Sequence, residues 1–369
     1  MNDKAPYGRW AGLLLGFLIT GSAHYLSGRR SAGIMWFISL FGLPVMAIAL
    51  LVVPGTIPYD AGVAMLLVST ILWFVMLKQS FRPVRRIGVL GWIGVVALAI
   101  VLDRAGSLLL HQFVASCRIH GSSMSPTMLG VRVEDMRPDA PDRPGPFQSI
   151  LTGRRFRQIK VSEGGILEFP STGPAPMYSV GSKTYDPPPL GARPFKKPGE
   201  HLSPGETLWS GVITTGDCVL VDTLSYRLGN PQRGDLLAFK TDGIRSLSMG
   251  QVWVKRIAGL PGEHIRIEPP YLIVNDKKVT QPAIFQTIAG KADGHAGYFL
   301  TDEHYPGAAR LTKTTDEVVL RKDEYFVLGD NTENSLDSRY WGPVPKRNIV
   351  GKAVRVFWPF TRINALDGQ

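Results

Sequence analysis

Residues 251–279 read QVWVKRIAGLPGEHIRIEPPYLIVNDKKV. QVWVKRIAGL, HIRI and YLIV are short β-branched and aromatic runs, the texture of strands. Asn275-Asp276, between YLIV and KKVTQ, is a hairpin-turn pair. The texture continues outward, through VLVDTLSY and LLAFK upstream and VVL, YFVLGD and AVRVFW downstream. No long helical period occurs after residue 115, so the reading is a mainly antiparallel β domain over 113–369. Residues 131–214 differ. They are crowded with proline and glycine (RPDAPDRPGP, YDPPPLGARPFKKPGE) and show few clear strands, so they read as a long insertion with long loops. No internal repeat is evident.

The other end of the chain has a different texture. Its 369 residues suffice for two or three domains. Overall 44% are hydrophobic and 19% charged, but the apolar residues concentrate in the first 110. Ile34–Val53 is an uncharged run of twenty residues, enough at helical rise to span a hydrocarbon core. Ala61–Leu77 and Ile87–Leu102 are further candidates, and Trp10–Thr20 is the weakest; whether it spans is left open. A cleaved leader does not explain several such runs. The expectation is a membrane domain over 1–112 with three to four transmembrane helices. Lys78, Arg82, Arg85 and Arg86 cluster in one short loop, and Arg29 and Arg30 in another, while PGTIPYD has no basic residue. Basic loops stay in the cytoplasm. The fourth segment then runs outward, and everything after about residue 112 lies on the extracytoplasmic side of a cell (inner) membrane.

Charge and cysteine usage narrow the partners. A net charge of +11 suits nucleic acid or an anionic membrane surface. Nucleic-acid binding asks for basic and aromatic residues interleaved on one face; none are seen, so a lipid bilayer is the expected partner. Cys117 and Cys218 are too few for a disulfide framework or a cysteine zinc site, although on paired strands they could face each other. The seven histidines show no HExxH or other close pairing, and no metal or cofactor is implied.

Three segments carry chemistry: Ile119-His120-Gly121-Ser122-Ser123-Met124-Ser125-Pro126-Thr127-Met128, Trp253-Val254-Lys255-Arg256-Ile257-Ala258-Gly259-Leu260-Pro261-Gly262-Glu263, and Gly329-Asp330-Asn331-Thr332-Glu333-Asn334-Ser335-Leu336-Asp337-Ser338-Arg339. Between the first two lie Gly216-Asp217-Cys218-Val219-Leu220-Val221 and Arg233-Gly234-Asp235. In this order they resemble the boxes of type I signal peptidases, over residues 115–130 and 215–360 with gaps. The resemblance implies a Ser/Lys-dyad serine endopeptidase that removes signal peptides from exported preproteins after small residues, working beside the export machinery. Carried over position by position, Ser123 before Met-x-Pro-Thr would be the nucleophile and Lys255 the general base. Ser335 would support the lysine, and Asp337 with Arg339 would brace the site. Ile119, Met124, Met128 and Val254 would line shallow substrate pockets, though each is equally a core residue. Two positions depart from the pattern. Where a hydroxyl donor for the oxyanion often stands, this chain has Gly121, which leaves more of that role to the Ser123 backbone N–H. The 131–214 insertion also separates boxes that are normally close.

The chemistry is coherent without the family. Acyl transfer needs an activated nucleophile, a base and oxyanion donors. A lysine serves as base only when neutral, and burial lowers its ordinary pKa of about 10.4 by up to ~3–5. Ser122 and Ser125 are the rival nucleophiles. Among other functions, a self-cleaving repressor relative would need a helix-turn-helix, and a silent scaffold would show an eroded dyad; neither mark is present.

Overall fold

The computed structural model describes residues 8–52, 56–81, 83–84, 89–169, 177–186, 192, 194–301 and 311–366. Arg82, Arg85 and Arg86 of the basic loop, Pro54 and Gly55 of PGTIPYD, His304, and parts of 131–214 lie outside the described residues. The chain divides into two compact units: Met1–Ala115 with Val221–Asn230, and Ser116–Leu220 with Pro231–Gln369.

The first unit contains helices Arg9–Leu18, Ser22–Leu26, Arg30–Val52, Thr56–Ser80 and Val89–Phe113. Small residues let these helices approach closely. A Cβ on Gly16 would lie 2.6 Å from Ser80 Oγ, and Gly21, at φ +83°, sits against the carbonyl of Gly33. Leu15, Ala23 and Val84 form a small buried cluster there. Large apolar side chains also face outward, among them Ile34, Ile38, Leu67, Ile71, Leu90 and Ile93. Among the described residues no helix is both long and apolar enough to cross a membrane. The runs Ile34–Val53 and Ile87–Leu102 extend into positions outside that set.

The second unit is built on β structure. The main sheet runs in the order Val114–Arg118, Cys218–Asp222, Ile349–Trp358, Leu236–Lys240, Val252–Gly259, Glu324–Leu328, Val344–Pro345, with Asn364–Ala365 beside Ile349–Trp358. Its central pairings are antiparallel, with Leu237 opposite Lys255 and Ile257 opposite Val327. This places the base candidate in the middle of a sheet, where neighbouring strands shield it on both sides. A smaller antiparallel sheet of His264–Glu268, Tyr271–Val274, Lys277–Lys278 and Val318–Val319 follows directly. Asn275 and Asp276 both take positive φ (48° and 62°), the pairing a two-residue hairpin demands. Ile265, Ile267, Leu272, Phe285 and Phe326 form the core beneath it.

The 131–214 segment corrects the expectation of long loops with few strands. It holds the helix Pro146–Thr152 and two small sheets. One pairs Arg132–Asp135 and Arg154–Lys160 with the central strand Thr207–Thr214; the other joins Gly165–Glu168, Tyr178–Val180, Lys183–Tyr185 and His201–Leu202. Only Leu208–Val212 is a continuous buried run. The other strands are short or, like RRFRQIK, carry charges on an exposed face, so their apolar signal is weak. Val161, Leu167, Val180, Leu202 and Leu208 supply a separate small core.

Candidate active site

The loop 119–130 that carries Ser123 is pinned at both ends. Ile119 N–H donates to Asp217 O (2.8 Å) and Val131 N–H to His120 O (3.0 Å). Asp217 N–H donates to Leu129 O, while its carboxylate accepts from Leu129 N–H (2.8 Å) and Arg362. Gly216 must be glycine for this crossing, since a Cβ there would lie 1.7 Å from Ile119 O. Met124 and Met128 are buried, so packing as well as hydrogen bonding fixes the loop.

Lys255, on Val252–Gly259, is 2% exposed, and its Nζ is hydrogen-bonded to Ser123 Oγ. The Trp253 ring lies 5.7 Å from Nζ. Burial lowers the amine's pKa from its ordinary 10.5 to about 8. The Asp337 and Asp330 carboxylates pull it back up, and Arg339 pushes it down again.

Two buried ion pairs surround this contact. Arg339 grips Asp337 through Nε (2.8 Å) and Nη2 (2.9 Å), and the same carboxylate accepts from Gly329 N–H (3.1 Å). Burial raises the Asp337 pKa, but Arg339 and these hydrogen bonds outweigh it and hold the acid low. Arg256 binds Asp330 through Nε (2.8 Å) and Nη2 (2.6 Å). Asp330 also accepts from Thr127 Oγ1 (2.5 Å). Strand alternation puts Arg256 on the face opposite Lys255. The series Arg256–Asp330–Thr127 therefore ties the strand of Lys255 to the loop of Ser123 from behind. Removing one partner of either pair strands a buried charge, at a cost of about 3–5 kcal/mol.

Arg256 and Asp330 lie within the segments expected to carry chemistry, but their pairing is not marked by any motif there; the available signal is a second cation beside Lys255. Tyr298 was not foreseen either; it is fully buried, its phenol pushed well up by desolvation and then by Asp330. No sequence motif marks it.

A cleft of about 770 Å³ is lined by residues 117–124 and 251–255, with Asn334 and Leu336. Ile119, Gly121, Met124 and Val254 are in its wall with Ser123 and Lys255, whereas Met128 is wholly buried and outside the lining. Ser122 lines the cleft but meets Asn334 rather than Lys255, and Ser125 does not line it. Asp337 and Arg339 stand behind the wall. Ser335 Oγ is buried and makes no hydrogen bond, so the link from this hydroxyl to the lysine is not made in this structure. It nevertheless lies close to Ser123. A Cβ on Gly329 would fall 2.1 Å from Ser335 Oγ and 2.5 Å from Ser123 O, which leaves room only for glycine. Cys117 and Cys218 are free thiols. Burial, and then the neighbouring Cys218, lifts Cys117 to about 11. Among the described residues no group of side chains could hold a metal ion.

A serine hydroxyl set against a buried lysine in a cleft of a β domain is the arrangement of a serine peptidase. Residues 205–358 match the family described as signal peptidase, peptidase S26. A probable signal peptidase I-2 of Synechocystis sp. is 31% identical over 178 residues, covering 48% of this chain and 70% of that protein. Signal peptidase I of Leptolyngbya laminosa is 31% identical over 180 residues, 48% of this chain and 76% of that protein. A solved signal peptidase I of Enterococcus faecalis V583 is 29% identical over 33% of this chain and 95% of its own, with a TM-score of 0.24, too low to bear on the fold. The chain belongs to the signal peptidase I family of serine endopeptidases.

Proposed function

We propose that this chain cleaves N-terminal signal peptides from exported preproteins at a membrane surface, with Ser123 as nucleophile and Lys255 as general base. The observation that carries the reading is the hydrogen bond between Ser123 Oγ and a lysine that burial brings to a pKa of about 8. In the first step the neutral amine takes the Ser123 hydroxyl proton as Oγ attacks the scissile carbonyl. The peptide C–N bond then breaks, the lysine ammonium gives its proton to the departing amine, and an ester to Ser123 remains. Water, deprotonated by the same amine, hydrolyses that ester. Asp330 with Arg256 holds the two reacting segments in register, Asp337 with Arg339 braces the turn 329–335 beside them, and both pairs stay outside the covalent steps.

The cleft suits an extended chain. A peptide laid between 117–124 and 251–255 can add main-chain hydrogen bonds to both walls and drop alternate side chains inward. Ile119, Met124 and Val254 make those walls apolar and shallow, which favours small residues at the cut, the A-x-A-like pattern. The membrane part of the reading rests on the uncharged runs in the first 112 residues and on the outward-facing apolar side chains of their helices. It makes the chain a multi-pass protein of the inner membrane, with 113–369 as extracytoplasmic catalytic domain, 131–214 inserted in it, and the export machinery as neighbour.

Incubating the detergent-solubilised chain with a preprotein and mapping the products by mass spectrometry tests the activity. A single cut after a small residue that closes the signal peptide is expected, and cuts scattered through the mature region would refute it. For topology, single cysteines at 80 and 150 in a Cys117/Cys218-free background are labelled from outside intact cells. Label at 150 alone is expected; label at 80 alone would invert the assignment.

A further inference from the structure

An oxyanion is held best by two converging donors, and the side chain at 121 supplies none. The Ser123 backbone provides the first. Asn331 collects the carbonyls of the preceding turn: its Nδ2 donates to Ser122 O (3.1 Å) and its N–H to Ser123 O (3.1 Å). In a planar trans peptide the N–H of Ser123 points opposite to Ser122 O, hence away from Asn331. It donates to no protein group among the described residues.

The second donor stands one residue before the nucleophile. Asn334 Nδ2 donates to Ser122 Oγ at 2.9 Å, and both side chains line the cleft. A hydroxyl oxygen that accepts an N–H keeps its own proton for donation. Among the described residues Ser122 Oγ has no other hydrogen bond, so that proton is available to the cleft. We infer that Ser122 O–H is the second oxyanion donor of this site, aimed by Asn334, replacing the hydroxyl that position 121 lacks. Ser122 is thereby a catalytic residue and Asn334 a positioning residue. The inference rests on the reading of Ser123 as nucleophile. It also accounts for the exposed amide of Asn334 engaging the Ser122 side chain.

The test uses the full detergent-solubilised chain and a signal-sequence peptide. Ser122→Ala should lower kcat by about 10²-fold, the loss of one oxyanion donor, with KM little changed and the melting temperature held. Ser122→Thr, which keeps a hydroxyl, should recover most of the rate. Asn334→Ala should lower kcat in the parent but add nothing in the Ser122→Ala background, because the two act as one unit. Asn334→Asp is the sharpest arm: a carboxylate there accepts the Ser122 proton instead of leaving it free, so kcat should fall at least as far as with alanine. Near-normal kcat in Asn334→Asp, or in Ser122→Ala when Ser123→Ala is dead, would overturn the inference and leave the nucleophile in place. Activity surviving in Ser123→Ala would instead remove the reading beneath it.

Discussion

Ser123→Ala is expected to lower peptide cleavage by a factor on the order of 10⁴ to 10⁶, the range seen when a hydrolase loses its nucleophile, while the melting temperature moves by only a few degrees. The magnitude follows from geometry. Of the three serines at 122, 123 and 125, only Ser123 has its hydroxyl on a buried amine; Ser122 Oγ is held by Asn334 and Ser125 does not line the cleft. No neighbouring oxygen can take over without unwinding a turn pinned by Asp217, Asp330 and Asn331. The fold should tolerate the change because the lost oxygen is a single group beside a cleft, and burial already favours the neutral form of the amine it leaves. Steady-state rates with a signal-sequence peptide, set beside Ser125→Ala as a control that keeps its rate, decide the matter. If Ser123→Ala still turned over at a tenth of the parental rate, the nucleophile would have to be sought elsewhere.

Short-range chemistry was readable from the sequence, and long-range geometry was not. The strand Val252–Gly259 and the Asn275-Asp276 turn were legible because β-branched residues and a positive-φ pair are local signals. The meeting of Ser123 with Lys255 was foreseeable because Met124, Pro126 and Thr127 follow Ser123 at fixed offsets, and Gly259, Pro261 and Gly262 follow Lys255 likewise. The Arg256–Asp330 bridge was not, since its partners are 74 residues apart. The same limit hid Asn334 on Ser122, 212 residues away. Nor could any local pattern separate Met128 from Met124: both are apolar residues of one turn, yet only Met124 reaches the cleft. In 131–214, strands of two to four residues between prolines fall below the length at which alternation can be detected.

Cleavage should rise tenfold per pH unit below about pH 8 and level off above it, because only the neutral amine of Lys255 can take the Ser123 proton. Lys255→Arg should be as inactive as Lys255→Ala: a guanidinium keeps the charge but cannot release a proton in this range. Replacing His120, His264 or His295 should leave the rising limb in place. Stability provides an independent check on the same group, with its sign fixed by linkage. The folded-state pKa is about 8, below the ordinary 10.5, so between those values the unfolded chain binds more protons than the folded one. Unfolding free energy must then increase with pH across that window. Below it, the folded protein carries the full cost of a charged buried amine, roughly 3 kcal/mol for a depression of this size. Lys255→Met removes the charge while keeping most of the volume. It should melt higher than the parent at pH 7, and its advantage should shrink as the pH approaches 10. Denaturant unfolding at a series of pH values measures this difference without any substrate. Equal slopes for parent and Lys255→Met, or a rate limb centred near pH 6.5 that vanishes with one histidine, would take the base away from Lys255. A rate limb and a stability slope that both locate the same group near pH 8 would assign the proton transfer to it by two measurements that share no assumption about mechanism.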